Sequence, residues 1–596
     1  MKMRDITIWL VCILLASVLF IVAGLQLDYI NSQRKEMRLI INEPLENAPP
    51  SLAFATVAMG AFRGLVVDIL WMRADRLKSQ GQFFDAKQLA EWITVLQPRF
   101  SEVWEFQAWN MAYNISVAIP ATQPEERWRW VKNGYELLRD RAIPLNPKSI
   151  LLYQALSRIL MHKIGSVSDD AHKFYKLKFV LAIQPLLGPA DEQYFKRLAE
   201  TPADWQKIAN DPNISPIIKA LKAADNVFLD EDKFVGNYLS LRQNPARFKP
   251  QAFAVIDNFR KSKALDDFDI FAKAYQLRHE WKLDPVFMQE LNHTYGPIPF
   301  NDPNKHLPLD WCHPDTHAIY WAALGLKVAS KKEYSANEAN TNRMVAHSLQ
   351  DLFRNGKIYI YQAPKDANDL PIDPRDIPME GKQIYLRPDL RMFEPYNQAL
   401  LKIIEKYEDP NTSSYASNRI GHRNMLKDVS LSFYQAGHTE QAQRIYNQLR
   451  KLYPNKEFDV PLVVYAKKRF QDELKIINLK DAQDMVNMLL RESYFRYAMR
   501  DDDEAFNSES LAKQIHDYYQ KKYSDENRIN LPEFKMVKYF ALTDFFDDAS
   551  YPLSLRQTLL ARIKIERPKL AEEFMQIEQQ LIKESEESGE NEQSQE

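Results

Sequence analysis

Glycine is scarce in this sequence, and cysteine is nearly absent. The 15 glycines are about 2.5% of the 596 residues, against roughly 7% in an average protein. Folds rich in β-structure use glycine in turns and bulges, so its scarcity favours an all-α fold. With two cysteines only, Cys12 and Cys312, the chain has no disulfide framework and no Cys-based zinc finger.

An excess of charge of one sign is also missing. Lys and Arg together number 78, Asp and Glu 80, and the net charge is −2, so we expect no nucleic-acid partner. The sequence has no phosphate-binding G-x4-G-K-[ST] loop, no dinucleotide-binding G-x-G-x-x-G, no H-E-x-x-H zinc motif and no G-x-S-x-G nucleophile elbow. We therefore assign no catalytic residue, no metal and no cofactor.

One long uncharged run lies near the start of the chain, at residues 6–27 (ITIWLVCILLASVLFIVAGLQL). A helix of this length spans roughly 33 Å, which matches a bilayer core of about 30 Å. Lys2 and Arg4 precede the run, and a short basic N-terminus usually stays in the cytoplasm. We therefore predict a cytoplasmic N-terminus (1–5), a single transmembrane anchor (6–27) in a bacterial inner membrane, and a periplasmic location for the rest.

A cleaved signal peptide, ending near residues 22–24, is the alternative interpretation of this run. Cleavable apolar cores usually have about 7–15 residues, so the length favours an uncleaved anchor. A second apolar stretch, residues 52–72, contains Arg63 and Asp68. Each charge would cost about 2.5–3.5 kcal/mol at the centre of a span, so we expect a helix outside the membrane, after a juxtamembrane linker (28–60).

Residues 423–456 have the spacing of a tetratricopeptide (TPR) unit, a pair of antiparallel helices. Apolar and small residues repeat at helical spacing in two runs, Gly437 falls between the runs, and Pro454 ends the second. We assign structural roles in this unit to Leu426, Ser430, Gly437, Ala442, Tyr446 and Pro454. The same template on residues 67–100 gives a weaker match, through Ala74, Gly81, Ala86 and Pro98.

Single units of this kind cannot bury their apolar faces, so stacked neighbours are required. We therefore predict a TPR-like α-superhelix with an irregular middle. Two short alternating runs, KIYIYQ and QIYLRP, allow at most a small β-hairpin. The predicted segments are N-terminal repeats (61–189), an irregular helical region with a Pro-rich loop (190–315), a helix pair with a short extended arm (316–400), C-terminal repeats (401–582) and a disordered acidic tail (583–596).

Several stretches resemble an uncharacterised bacterial family of membrane-anchored, TPR-like proteins. They are FRGLVVDILWMRAD (62–75), LQPRFSEVWEFQAWNMAYNISV (96–117), HKIGSVSDDAHKFYK (162–176) and DTHAIYWAALG (315–325), the last preceded by YGP at 295–297. The resemblance implies a membrane-tethered helical-repeat protein and carries no assigned activity. The sequence departs from the family pattern at Cys312-His313.

Two groups of side chains have the composition of metal or catalytic sites. Cys312, His313 and His317 lie within six residues, but no fourth ligand accompanies them, so we interpret them as packing residues at a helix start. A second group contains His162, Asp169, Asp170 and His172. Aspartate at a helix cap and histidine at a turn are ordinary structural roles, which we favour here as well.

Side chains on the predicted concave groove give the leading functional hypothesis, a scaffold that binds a protein or peptide partner in the cell envelope. The groove residues are Trp71, Asp75, Lys78, Trp109, Tyr113, Asn424, Lys427 and Tyr434. Two alternatives remain open: a glycan-processing enzyme on an α-superhelical platform, which would need a buried Glu in an aromatic cleft with a raised pKa, and a purely structural subunit of a membrane complex.

The predicted topology can be tested with a C-terminal reporter that is active only outside the cytoplasm. We expect an active reporter and a protein that stays in the membrane after carbonate washing, because the anchor is predicted to remain uncleaved. Release by alkali would contradict the anchor, and a reporter active only in the cytoplasm would contradict the orientation.

Overall fold

The computed structural model describes residues 63–188, 191–300, 302–328, 336–362, 382–407, 413–435, 438–474, 479–522, 531–547, 551 and 553–593. The predicted N-terminus (1–5), anchor (6–27) and linker (28–60) lie outside the described residues. Among the helices that are described, none combines the length and apolar character needed to cross a membrane.

The described chain is helical almost throughout, which confirms the all-α prediction. It divides into two compact units, described residues 63–159 with 327–328, and described residues 160–326 with 336–593. The α-helices of the first unit are Arg63–Ser79, Phe83–Leu96, Ser101–Trp109, Ser116–Ala118, Pro124–Glu136, Ile143–Leu145 and Ile150–Arg158.

Three π-helical turns continue helices of the first unit: Asn110–Ile115, Leu137–Ala142 and Ile159–Gly165, the last leading into the second unit. A π-turn adds one residue to a turn of an α-helix. Such turns are rare in proteins, and those that occur often lie at functional sites. The side chains that follow each turn are therefore rotated from the positions that an unbroken α-helix would give them.

The second unit is a longer series of helices. Its α-helices are His172–Ile183, Glu192–Glu200, Trp205–Ala209, Ser215–Ala224, Glu231–Gln243, Pro250–Phe259, Lys263–His279, Pro285–Tyr295, Pro314–Val328, Ala336–Asn355, Phe393–Lys406, Ser413–Gln435, Thr439–Leu452, Leu462–Leu474, Leu479–Ala498, Asp502–Lys522, Phe534–Asp547, Leu553–Glu566 and Pro568–Gln593. Short 3-10 turns lie at Gln184–Leu186, Asn226–Phe228, Pro245–Arg247, Leu390–Met392 and Lys456–Phe458.

The two alternating runs form a small antiparallel hairpin, as the sequence predicts. Strand Lys357–Gln362 pairs with strand Lys382–Arg387, with Lys357 opposite Arg387 and Gln362 opposite Lys382. The loop between them lies outside the described residues.

The helices Ser413–Gln435 and Thr439–Leu452 pack against each other where the sequence has its strongest repeat signal. Leu426, Ser430, Ala442 and Tyr446 are all fully buried. The second helix ends two residues before Pro454, because proline cannot continue a helix. Gly437 lies outside the described residues.

The weaker N-terminal match also falls on a helix pair, Arg63–Ser79 and Phe83–Leu96. Ala74 and Ala86 have no exposed surface. Gly81 lies between the helices with φ of 76°, a left-handed conformation that glycine adopts without steric cost. Pro98 follows the end of the second helix.

The last helix of the described chain, Pro568–Gln593, extends into the segment predicted as an acidic tail, 583–596. Glutamate and glutamine have high helix propensity, so a polar, acidic run of this kind can extend an existing helix.

Replacing Ala442 by Glu tests the packing of the helix pair at 413–452. Ala442 is fully buried, so the variant places an uncompensated charge between the helices and should lower the free energy of unfolding by about 3–5 kcal/mol. The neighbouring Gln443 is exposed, and Gln443→Glu is the matched control, with an expected change within about 0.5 kcal/mol. Thermal and denaturant unfolding measure both; equal stability of the two variants would contradict this packing.

Candidate functional site

Five side chains of the first unit form an aromatic and charged cluster at the surface, here called the Glu105 surface: Lys78, Glu105, Trp109, Tyr113 and Arg158. Each is half-buried, so each keeps area that a partner can cover. Three of them, Lys78, Trp109 and Tyr113, belong to the predicted groove.

Trp109 and Tyr113 form the aromatic part of this surface. Their rings stack with centroids 4.0 Å apart and planes 20° from parallel. Tyr113 lies on the π-turn Asn110–Ile115, directly after Trp109 ends its α-helix. The Tyr113 hydroxyl donates to the carbonyl oxygen of Arg158 at 3.3 Å, and the Arg158 guanidinium lies 5.6 Å from the Trp109 ring centroid. The two rings are therefore held in one orientation.

Glu105 is the acidic group of this surface. Burial raises the pKa of its carboxyl group, Arg158 lowers it, Glu102 raises it and Lys78 lowers it, in that order of size. The nearest atoms of Arg158 and Glu105, Nη1 and Oε1, are 3.9 Å apart. Both cations thus act on one carboxyl group, although Lys78 and Arg158 come from different helices.

The other groove residues predicted in the first unit lie on the helix Arg63–Ser79. Trp71 is half-buried, and its ring contacts the edge of Phe106 with centroids 4.9 Å apart. The Lys78 ammonium lies 5.0 Å from the Phe106 ring centroid, a favourable cation–π geometry. Asp75 is exposed. Trp71 thus packs beside the Glu105 surface through Phe106.

The three groove residues predicted near the C-terminus lie in the second unit, on the helix Ser413–Gln435. Asn424 is exposed and Tyr434 half-buried. Lys427 pairs with Glu457 at 3.1 Å and lies 5.7 Å from the Phe458 ring centroid. Lys427 is therefore committed to contacts with the 3-10 turn Lys456–Phe458 that follows its helix pair.

The structure also brings together the two groups that the sequence analysis interpreted as packing residues. They meet in the second unit in the Lys176 cluster, which consists of His172, Lys176, His313, Asp315 and Asp351. Lys176, His313 and Asp315 have no exposed surface, and His172 and Asp351 are half-buried. The cluster joins the segments 162–176 and 315–325, both of which carry the family resemblance.

Lys176 is the buried cation of the cluster. Its ammonium donates to the carbonyl oxygen of Ser166 at 2.8 Å and lies 3.0 Å from His172 Nδ1. Burial lowers the Lys176 pKa to about 8, while Asp315 and Asp351 oppose this shift. Burial, assisted by Lys176, also lowers the His172 pKa to about 4, so His172 is neutral at physiological pH.

Asp315 is the buried carboxyl group of the cluster, and neither of its oxygens has a partner at hydrogen-bond distance among the described residues. Burial raises its pKa well above the usual value and Asp351 raises it further, while the nearby Ser348 hydroxyl and Lys176 lower it. His313 Nδ1 lies 3.4 Å from Asp315 Oδ2. Because such a carboxyl group is costly to ionise, Asp315 favours the protonated form.

The hydrogen bonds of His313 define its protonation state. Nε2 lies 3.2 Å from the carbonyl oxygen of Asn355, which can only accept, and Nδ1 accepts the backbone N–H of Asp315 at 3.2 Å. The ring therefore carries its proton on Nε2, and burial lowers its pKa to about 3. The Nδ1 lone pair faces the Asp315 carboxyl group.

The remaining members of the two groups have structural roles. His317 Nε2 lies 2.9 Å from the Trp311 carbonyl oxygen, and its ring contacts Phe179. Burial raises the pKa of the Cys312 thiol. Within the part of the chain that the structure describes, no three His, Cys, Asp or Glu side chains converge as a metal site.

A second buried ion pair, Lys163–Asp169, lies beside the cluster. Nζ and Oδ2 are 2.5 Å apart, and both side chains are more than nine-tenths buried. The other Asp169 oxygen accepts the N–H of Ala171 at 2.8 Å, so Asp169 orders the turn before the helix His172–Ile183 rather than capping that helix. His162 and Asp170 are exposed.

Sequence reasoning missed Glu105, Arg158, Lys163, Lys176 and Asp351. One signal was available for Lys176, which lies in the apolar run of helix His172–Ile183 one turn after His172. No local signal pairs Glu105 with Arg158 or Asp315 with Asp351, since these contacts join distant segments.

Neither the models of known protein families nor the curated proteins contain a match to this chain. The functional inference therefore rests on the geometry of the two sites.

Because the Lys163–Asp169 pair is buried, removing its cation should destabilise the protein more than removing the cation of an exposed ion pair. Lys163→Met leaves Asp169 buried without its cation and should lower the free energy of unfolding by about 3–5 kcal/mol. Adding Asp169→Asn removes the orphaned charge and should restore part of this loss. The control is Lys196→Met, in an exposed pair with Glu200 at 3.9 Å, where the expected change is within about 0.5 kcal/mol. Equal losses for Lys163→Met and Lys196→Met in urea unfolding would contradict the assignment.

Proposed function

We propose that this protein is a membrane-anchored, TPR-like scaffold that binds a protein or peptide partner in the bacterial cell envelope. The observation that carries the proposal is the Glu105 surface, where aromatic and charged side chains are ordered by mutual contacts and remain partly accessible. The charge-free run at residues 6–27 supports the membrane anchor and the periplasmic location. The helix pair at 413–452 supports the repeat assignment.

The composition of the Glu105 surface is that of a binding hot spot. Tryptophan, tyrosine and arginine are the residues enriched at the energetic centres of protein interfaces. The stacked Trp109–Tyr113 pair and the overlying Arg158 are already fixed in one arrangement. A partner that binds there pays little for ordering these side chains, which supports recognition by a preformed surface.

A second candidate function is glycan cleavage, and one observation favours it. Glu105 is a partly buried carboxyl group with a raised pKa beside aromatic rings, as a general acid of a glycosidase requires. Glycosidases need a second carboxyl group, and Glu102 lies one helical turn before Glu105. Trp109 and Tyr113 stack on each other, so the stacked ring faces are not available to a sugar. This contact favours the scaffold function over glycan cleavage.

The scaffold proposal predicts that Trp109→Ala combined with Tyr113→Ala abolishes partner capture without a matching loss of stability. Removing two hot-spot aromatics should weaken binding at least tenfold, since each such residue contributes more than about 1 kcal/mol. The control is Phe84→Ala, an aromatic residue of the same unit that is 59% exposed. Quantitative affinity capture from solubilised membranes, with melting curves for each variant, measures both quantities. Unchanged capture, or a large drop in melting temperature, would contradict the proposal.

Glu105→Gln separates the two candidate functions. The amide keeps the shape of the side chain but cannot donate a proton as an acid. A scaffold should keep its partner within a few-fold in affinity, because the amide keeps the shape of the side chain and the half-buried charges of Lys78 and Arg158 remain in contact with solvent. A glycosidase should lose at least about a hundredfold in turnover of envelope glycan. Glycan turnover that is lost in Glu105→Gln while partner capture is unaffected would establish the enzyme.

A further inference from the structure

Three segments that are distant in the sequence meet at the Lys176 cluster: the turn 165–171, the start of the helix Pro314–Val328, and the end of the helix Ala336–Asn355. We propose that this cluster is a proton-dependent latch. While the buried carboxyl group of Asp315 retains its proton, the latch holds the turn 165–171 against the start of the helix Pro314–Val328; when Asp315 loses the proton, the turn is released.

The turn is attached to the cluster by two contacts. Gly165 lies against the carboxyl group of Asp315, since a Cβ atom at residue 165 would be 2.4 Å from Oδ2 and 3.1 Å from the carbonyl oxygen of Leu160. The next residue, Ser166, accepts a hydrogen bond of 2.8 Å from the Lys176 ammonium. The position of the turn therefore depends on both the buried Asp315 carboxyl group and the buried Lys176 ammonium.

The charge balance of the cluster explains why a proton matters. Arg354 and Lys176 both favour the ionised form of Asp351, so the proton is retained on Asp315, which has no exposed surface. Without that proton, Asp315 is a fully buried carboxylate, and neither of its oxygens has a partner at hydrogen-bond distance among the described residues. An uncompensated buried charge is strongly destabilising, so the closed turn loses stability as the pH rises.

Every packed element contributes groups that bear on this balance. The cluster's own helix adds Lys173, the turn adds Asp169, and the helix Ala336–Asn355 adds Arg354, which lowers the pKa of Asp351. Strand Lys382–Arg387 also packs on the helix His172–Ile183, and its described side chains, Ile384 and Leu386, are uncharged. The helix Phe393–Lys406 packs on the helix Ala336–Asn355 and adds Tyr396, whose pKa burial raises, Arg354 lowers and Asp351 raises. The other nearby titratable and charged residues are His172, Lys173, Lys176, Asp169, Lys163, His313, Asp315, His317, Asp351 and Arg354.

Titration of the carboxyl groups and titration of the basic groups change the stability of the closed form in opposite directions. The basic groups also titrate in different pH ranges from one another. A raised pKa on Asp315 means that the closed form is favoured at low pH and loses stability as the pH rises through that pKa. Burial lowers the pKa of His172 to about 4 and that of His313 to about 3. The closed form therefore gains stability as the pH rises toward 6.5, and above that pH the two histidines change its stability little. Burial lowers the pKa of Lys176 to about 8. Lys176 therefore stabilises the closed form only as the pH rises above that value, where the buried ammonium loses its proton. Because the histidines and Lys176 act with the opposite sign, weakening of the closed form with rising pH identifies the carboxyl group of Asp315.

Hydrogen exchange of the full-length chain in detergent, followed by mass spectrometry from pH 6.5 to 8, tests the latch. After correction for intrinsic exchange rates, protection of residues 166–172 should fall with pH, by up to tenfold per pH unit for one linked proton. Asp315→Asn should remove this pH dependence, because the amide cannot ionise. Asp170→Asn, an exposed position in the same turn, is the matched control and should behave as the wild type.

Two further variants keep the test decisive. Asp351→Asn, at a half-buried position, should shift the fall in protection to lower pH, because the Asp351 charge raises the pKa of Asp315; it replaces Asp315→Asn if that variant fails to fold. Gly165→Ala should lower protection of the turn at every pH, because its methyl group displaces the backbone from Asp315. Protection that is independent of pH in the wild type, a pH dependence that survives Asp315→Asn, or a pH dependence that Asp351→Asn leaves unmoved would overturn the latch.

Discussion

The close approach of paired helices at small side chains is the constraint on which the rest of the structure depends. In the first unit, a Cβ atom at Gly134 would lie 2.9 Å from the carbonyl oxygen of Ala108 and 3.2 Å from the Ala112 methyl group. In the second, Ser430 and Ala442 are fully buried in adjoining helices. Such crossings bring the helices close together, so larger apolar residues fill the core on either side and the outward faces remain available for recognition.

The helices were predictable to the extent that local signals define them. Proline after a helix end, as at Pro98 and Pro454, and period-two alternation in the two short strands both act within a few residues of the chain. The π-turns were not predictable, because the added residue changes the helical register without any breaker residue. In the segment after Trp109, which reads as one amphipathic helix, the π-turn Asn110–Ile115 sets the position of Tyr113.

The candidate sites were predictable only in part, for the same reason. Trp109 and Tyr113 could be placed at the surface from helical spacing, but their companion Arg158 lies 45 residues beyond Tyr113 and is brought there by packing. The buried cluster was visible as two separate groups of histidine and aspartate. Its central residue, Lys176, lies in an apolar run one turn after His172, but only the tertiary structure shows that it has no exposed surface.

Buried charge in this amount is not explained by stability alone. Replacing a buried ion pair by apolar side chains of similar volume is often neutral or stabilising, and Asp315 lacks even the hydrogen bonds that would reduce its cost. A cluster that lowers the stability of the turn it holds makes that turn easier to open than the surrounding core, and elements that move in function are drawn from such regions. The proposed binding surface in one unit and the proposed latch in the other are compatible with a scaffold whose conformation responds to its surroundings.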